Sequence, residues 1–266
     1  MIGNFHTHST FSDGKNTPEE IIECAIEKGF SSLGFSDHGI TEFDIRYCMR
    51  DTQGYLAEIR RLQKKYAGKI QIYLGTEEDI SRPVNRDDYD YLISSSHYIY
   101  FNGKHYPFDS TYEYYTTCLQ LFNGDALALA RSYYQTFCDY LMQRKPDVIG
   151  HFDLITKFDE SKQDYLLHDE RYWEIAENAV KQALQTGSIF ELNTGLMIRG
   201  YRTTPCPHER LLKIIAQNGG KITLSSDSHH INHLDGYFEE MKTLLKSVGF
   251  DGVYVLLDGK WQKTKL

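Results

Sequence analysis

A chain of 266 residues, 41% hydrophobic and 25% charged, with a formal net charge of -8, has enough apolar material for one large α/β domain or two small ones and is not expected to be disordered. Lys and Arg form no long run, so a nucleic-acid partner is not expected; no apolar stretch approaches the roughly 20 residues of a membrane span, so a membrane partner is not expected either. Cys24, Cys48, Cys118, Cys138 and Cys206 form no CxxC pair and MIGNFHTHST carries no basic or apolar leader, so a cytoplasmic location is expected, with the thiols as small buried hydrophobes.

A first apolar run at residues 2–5 delivers His6-Thr7-His8. In an extended strand, residues i and i+2 share a face, so both imidazoles can reach one ion. Thr17 then reads as the N-cap of a helix over 18–28, with Pro18 at its first position and Gly29 past its end. The run at 32–35 leads into Ser36-Asp37-His38, and a helix is predicted over 52–66. The run at 70–74 leads into Gly75-Thr76-Glu77, and that at 91–93 into Ser94-Ser95-Ser96-His97. The interval 98–146 is too long for a single crossover and rich in Tyr and Phe. It is predicted to hold two helices plus a loop, which either overhang the site or decorate the outside. Past it, 148–149 leads into Gly150-His151. Helices over 170–185, 207–218 and 234–247 then alternate with runs at 189–192, 222–224 and 253–257. The run at 222–224 ends in Ser225-Ser226-Asp227-Ser228-His229.

Alternating strands and helices with short connections imply an α/β fold of parallel strands and right-handed crossovers. Six of the eight runs deliver a His, Asp or Glu at the same place, which in a β/α barrel is the C-terminal face, where active sites are built. One such histidine alone is more often a hydrogen-bonded loop residue than a ligand, but chance explains the repetition poorly. His105, His168, His208 and His233 follow no apolar run and are expected at the surface. His230 would point away from His229 on an extended chain and is left open.

The set HTHSTFSDG, SDH, GTEED, SSSHY, IGHFD and SSDSH resembles the polymerase and histidinol phosphatase (PHP) superfamily from His6 to about Asp258. ELNTGLMIRG and the Pro-containing helix start after it are similar to the stand-alone histidinol-phosphate phosphatases of that superfamily. The resemblance implies a distorted (β/α)7 TIM-like barrel forming one domain over 1–266, with a helical insertion at about 98–146. It also implies three divalent metal ions, for which imidazole and carboxylate ligands suit Zn, Mn or Fe. By that resemblance His6, His8 and Asp227 hold the first ion with a bridging Glu77; Glu77, His97 and His151 hold the second; Asp13, His38 and His229 hold the third. Some members place a His near Asp13.

The same resemblance makes Glu77 and Asp227 catalytic and gives Arg199 the substrate phosphate, whose oxygens suit a planar guanidinium fork. A surface salt bridge is the alternative for Arg199. Lys157 is either a second phosphate contact or an exposed lysine. The implied activity is hydrolysis of a small phosphorylated substrate, L-histidinol phosphate, by a hydroxide bridging two of the ions. Asp109 and Tyr112 are candidates for recognising its amine and imidazole. Ser228 stands where a smaller residue is usual, and Cys206-Pro207 where many members have an aromatic before the Pro. Three other readings are weighed: an amidohydrolase, another phosphate ester or oligonucleotide end, and a degenerate binding module. Glu77 on the third strand speaks against the first, the acidic balance against the oligonucleotide but not against another small ester, and the nine filled ligand positions against the third. The sequence carries no signal for oligomeric state.

Overall fold

Seven parallel strands frame the molecule in the computed structural model, which describes residues 3–41, 45–162 and 166–266. They are β1 (Gly3–Asn4), β2 (Ser32–Phe35), β3 (Gln71–Asp79), β4 (Tyr91–Ser95), β7 (Val148–Ile149), β8 (Ile189–Asn193) and β9 (Lys221–Ser225), hydrogen-bonded in that order. Beyond the strand ends, a parallel bridge between Thr7 and Ser228 brings the first and last strands together. His8 N donates to Ser228 O at 2.8 Å and Ser228 N to His6 O at 3.2 Å. The sheet is thus a nearly closed, distorted (β/α)7 barrel. Ile2, in the first predicted run, lies outside the described residues.

Helices fill the crossovers: α1 (Pro18–Glu27), α2 (Thr52–Lys65), α4 (Ala126–Arg144), α6 (Glu170–Ala183), α8 (Glu209–Gln217) and α9 (Phe238–Ser247). Thr17 caps α1 with Pro18 at the first position, as the sequence predicts, and Glu20 completes a reciprocal capping box. Two starts differ from the prediction. His208 caps α8 by accepting from Arg210 N, so the helix opens at Glu209 and not at 207. A 3-10 turn at Ile231–His233 precedes α9, which opens at Phe238 and not at 234. The helices bury their apolar stripes against the strands, as Ile21, Ile22 and Ala25 of α1 do. Tyr91 crosses the barrel floor and donates to Phe5 O at 2.6 Å. Only a glycine fits at 75, because a Cβ there would stand 2.3 Å from the Tyr91 ring.

Two antiparallel hairpins depart from the predicted alternation. The run at 253–257 is not a barrel strand: β10 (Gly252–Leu257) pairs with β11 (Lys260–Lys265) outside the seven-stranded sheet, where Trp261 meets Phe5 at a ring separation of 5.0 Å. The interval 98–146 opens with β5 (Tyr98–Phe101) and β6 (Lys104–Pro107) before its two helices, α3 (Tyr112–Leu121) and α4. Asn102 and Gly103 turn that hairpin with φ of 46° and 79°, the paired left-handed conformation of a type I′ turn. α5 (Asp159–Lys162) and α7 (Gly195–Ile198) are single turns after strands. Among the described residues no helix is long and apolar enough to cross a membrane.

Candidate metal centre

Nine histidines and carboxylates, eight of them at or just past strand ends, meet at one mouth of the barrel. His6 and His8 leave β1 on the same side, while Thr7 between them turns to Gly34 O. His38 bridges to Glu77 beside the end of β3, and His97, His151, Asp227 and His229 follow β4, β7 and β9. Asp13 arrives by a folded loop. The buried Asp37 carboxylate accepts from Ser9 N at 2.8 Å and from Ser12 N at 3.0 Å, which curls 9–14 back over the site. The curl is tight enough that a Cβ on Gly14 would lie 2.2 Å from His8 O.

Among the described residues four overlapping sets of ligand atoms result: His6, His8 and Asp227; His6, Glu77 and His151; His38, Glu77 and His97; and His8, Asp13, His38 and His229, each within 4.8 Å. Glu77 sits at the centre and divides its oxygens. Oε1 faces His151 Nε2 at 2.9 Å and His97 Nε2 at 3.5 Å; Oε2 faces His38 Nδ1 at 2.9 Å and His6 Nε2 at 3.1 Å. Asp227 Oδ1 lies 3.1 Å from His8 Nε2, and Asp13 Oδ1 lies 3.3 Å from His229 Nε2. Asp227 adopts φ of 50°, a conformation Asp tolerates better than most residues.

The electrostatics are those of buried anions held charged by imidazoles. Burial by itself would raise the Glu77 carboxyl, but His6, His38 and His97 outweigh it and hold it well below the usual range. Asp227 is likewise held down, against burial, by Arg199, His6 and His8. Burial works against a charged His97, yet Glu77 and Asp79 push it up to about 9. His8 goes the other way, to about 3, through burial and the neighbouring His229 and His38.

Several of these atoms are buried with no hydrogen bond: His6 Nε2, both nitrogens of His8, Asp13 Oδ1, Glu77 Oε2 and His151 Nδ1. Buried polar atoms are normally satisfied. A group of lone-pair donors that face one another without partners fits divalent cations between them, and the all-imidazole, all-carboxylate donor set fits Zn, Mn or Fe.

A cavity of about 260 Å³ opens over the cluster. Arg199 and Lys157 both line it. Arg199, itself exposed, pairs inward: Nη2 donates at 2.8 Å to the buried Asp227. Lys157 is not an exposed lysine. It is 8% exposed, donates to Asp109 O at 2.5 Å and lies 4.6 Å from the Tyr201 ring centre. Asp109 also lines the cavity, whereas Tyr112 packs on Phe158. Among the histidines outside the motifs, His168 and His233 are exposed. His105 and His208 are instead half-buried, the latter because it caps α8 and packs on Trp173. His230 turns away from the cluster and accepts from Asn232 N.

Sequence reasoning missed the residues that aim the ligands. Glu191, wholly buried, faces His6 Nδ1 at 2.6 Å and accepts from His151 N at 2.9 Å. Asp79 accepts from His97 N at 2.8 Å and meets its ring at 3.2 Å. A carboxylate inside an otherwise apolar run, ELN in 189–193, was the available signal for Glu191. Asn193 also lines the cavity, with its Oδ1 tied to Gly195 N at 2.7 Å.

Against known proteins, the PHP domain model matches residues 4–195. A Schizosaccharomyces pombe protein named "Probable histidinol-phosphatase" is 27% identical over 262 residues, covering 91% of this chain and 84% of that one. The histidinol-phosphatase of Lactococcus lactis subsp. lactis is 24% identical over 98% of this chain and 97% of its own. A crystal structure of histidinol phosphate phosphatase from the same organism, complexed with zinc, L-histidinol and phosphate, shares the fold with a TM-score of 0.75 at 22% identity, over 98% of both chains.

Proposed function

The chain belongs to the PHP domain family, and from that premise we propose that it is a metal-dependent phosphomonoesterase that hydrolyses L-histidinol phosphate to L-histidinol and phosphate. The carrying observation is the cluster of nine converging ligand residues with unpartnered buried atoms, under a cavity that two cations line. The full-length relatives named for this activity support the substrate. A place in histidine biosynthesis follows from that substrate, and the scattered free thiols support a cytoplasmic setting.

His6, His8 and Asp227 would hold one ion, with Glu77 shared between it and a second held by His97 and His151; Asp13, His38 and His229 would hold a third. Bound divalent ions supply such a site with a water of lowered pKa, neutralisation of the phosphoryl oxygens and stabilisation of the departing alkoxide. The chain's own residues do the rest. Glu77 can serve two cations because its oxygens already face different histidines. Glu191 and Asp79 fix the rings of His6 and His97, which keeps their outward nitrogens aimed. Arg199, braced on Asp227, and Lys157, braced on Asp109 O, place positive charge beside the cavity to orient the phosphate. The acidic net charge of -8 favours a small phosphate ester over a polynucleotide.

The test is turnover of L-histidinol phosphate against a panel of small phosphate monoesters by protein of measured metal content. A large kcat/KM preference for histidinol phosphate supports the proposal. Broad weak activity keeps the phosphatase and discards the substrate; no turnover at full metal loading overturns both.

A further inference from the structure

L-Histidinol phosphate carries two opposite charges: the phosphate is anionic, while the amine, on the carbon between the phosphate-bearing and imidazole-bearing methylenes, is cationic. A site that grips only phosphate would not distinguish it from other monoesters, so a selective site needs an anion set apart from the metal cluster. Among the described residues four carboxylates line the cavity: Asp13, Glu77, Asp109 and Asp227. Three of them belong to the ligand sets, where cations would consume their charge. Asp109 belongs to none.

Its setting is that of a fixed recognition group. The preceding Phe108 is fully buried, its N donates to His97 O at 3.3 Å, and its ring meets Tyr133 at 5.4 Å. On the other side Lys157 Nζ holds the Asp109 carbonyl at 2.5 Å, while the carboxylate Oδ2 stands 3.8 Å from the same ammonium. The lysine therefore anchors the main chain and leaves the carboxylate at longer range. Asp109 lines the same cavity as His97 and Arg199, and its side chain is only 22% exposed. Tyr47, Tyr98, Pro107, Leu154 and Leu196 supply the less polar wall that an imidazole side chain needs.

Resting on the proposed histidinol phosphatase activity, we propose that Asp109 is the specificity-determining residue that receives the substrate's ammonium group, so that the cavity selects amino-alcohol phosphates over phosphate esters lacking the amine. A charge-assisted hydrogen bond formed away from bulk water is the interaction by which a site rejects an analogue missing its partner.

The experiment compares L-histidinol phosphate with its deamino analogue, 3-(imidazol-4-yl)propyl phosphate, as substrates of the metal-loaded protein and of Asp109→Asn and Asp109→Glu. The wild-type protein is expected to prefer the amine-bearing ester, and Asp109→Asn to shrink that preference by roughly 30-fold. Asp109→Glu is expected to restore part of it, since it keeps the charge. A loss in Asp109→Asn that is equal for both esters, or no loss, overturns the inference, because a merely structural Asp109 would not tell the two apart. A wild-type protein that hydrolyses both without preference overturns the inference while leaving the phosphatase standing. A protein that hydrolyses neither overturns the activity, and this inference falls with it.

Discussion

Glu77 presents its two oxygens to different rings, Oε1 to His151 and His97 and Oε2 to His38 and His6. Replacing it with Gln keeps the shape and removes the charge that two cations would share. Since bound ions contribute several kcal/mol to phosphoryl transfer, Glu77→Gln is expected to lower kcat by at least about a hundredfold. Its circular dichroism should be unchanged and metal analysis should find fewer ions; a variant that keeps most of its turnover would refute the shared ligand. Glu191 acts one step back, by holding the far nitrogen of His6 at 2.6 Å. Glu191→Gln is expected to weaken metal binding by roughly 10–100-fold, read by metal titration, and unchanged affinity would remove its orienting role. Neither Glu191 nor Asp79 precedes a motif histidine, and their partners lie 185 and 18 residues away in the chain, so spacing gave no clue to either pairing.

Elements were legible where their signals are local. Thr17, Pro18 and Gly29 announce α1, and the structure caps that helix with Thr17. The Asn102-Gly103 pair announced a hairpin just as plainly, but the Tyr- and Phe-rich interval around it was read as helices and loop. The Asp258-Gly259 turn, with φ of 50° and 69°, likewise makes the last run half of a hairpin and not a barrel strand. That hairpin lays Trp261 against Phe5 and Tyr91. Trp261→Ala is expected to cost about 3 kcal/mol of stability in urea unfolding, with kcat little changed. A stability within 0.5 kcal/mol of wild type, the usual range for surface substitutions, would show that the hairpin is not part of the core. Farther up the barrel, Arg202 and Asp153, both buried, form an ion pair at 3.2 Å. It ties the segment after α7, which follows Arg199, to the turn before Lys157. Removing one partner leaves a buried charge alone, so Arg202→Leu is expected to destabilise by about 3–5 kcal/mol, and a fall in the unfolding midpoint is the check.

At the scale of the whole molecule, the cluster joins strands from both ends of the chain. Cations held there would lock β1, β3, β4, β7 and β9 together, because only the folded barrel assembles their ligands. Stripping the metal with a chelator is therefore expected to lower the thermal midpoint. Each ion present at about a hundred times its Kd contributes roughly 2.7 kcal/mol, and added Zn, Mn or Fe should restore the loss. An unchanged midpoint in protein shown by analysis to be metal-free would count against a metal centre.

Sequence by itself determined most of the α/β alternation, the Thr17 cap of α1 and the strand ends near which the ligand histidines and carboxylates other than Asp13 stand, because these follow from periodicity and short-range chemistry carried by neighbouring residues. The tertiary structure alone decided that Arg199 braces on Asp227, that Lys157 is buried against Asp109, that Glu191 aims His6, and that the base of the β5–β6 hairpin and the loop after it line the cavity. Those contacts arise when a twisted sheet closes on itself and an insertion excludes water from charged groups. Burial and through-space distance then set each partner and each charge, and neither quantity is encoded in spacing along the chain.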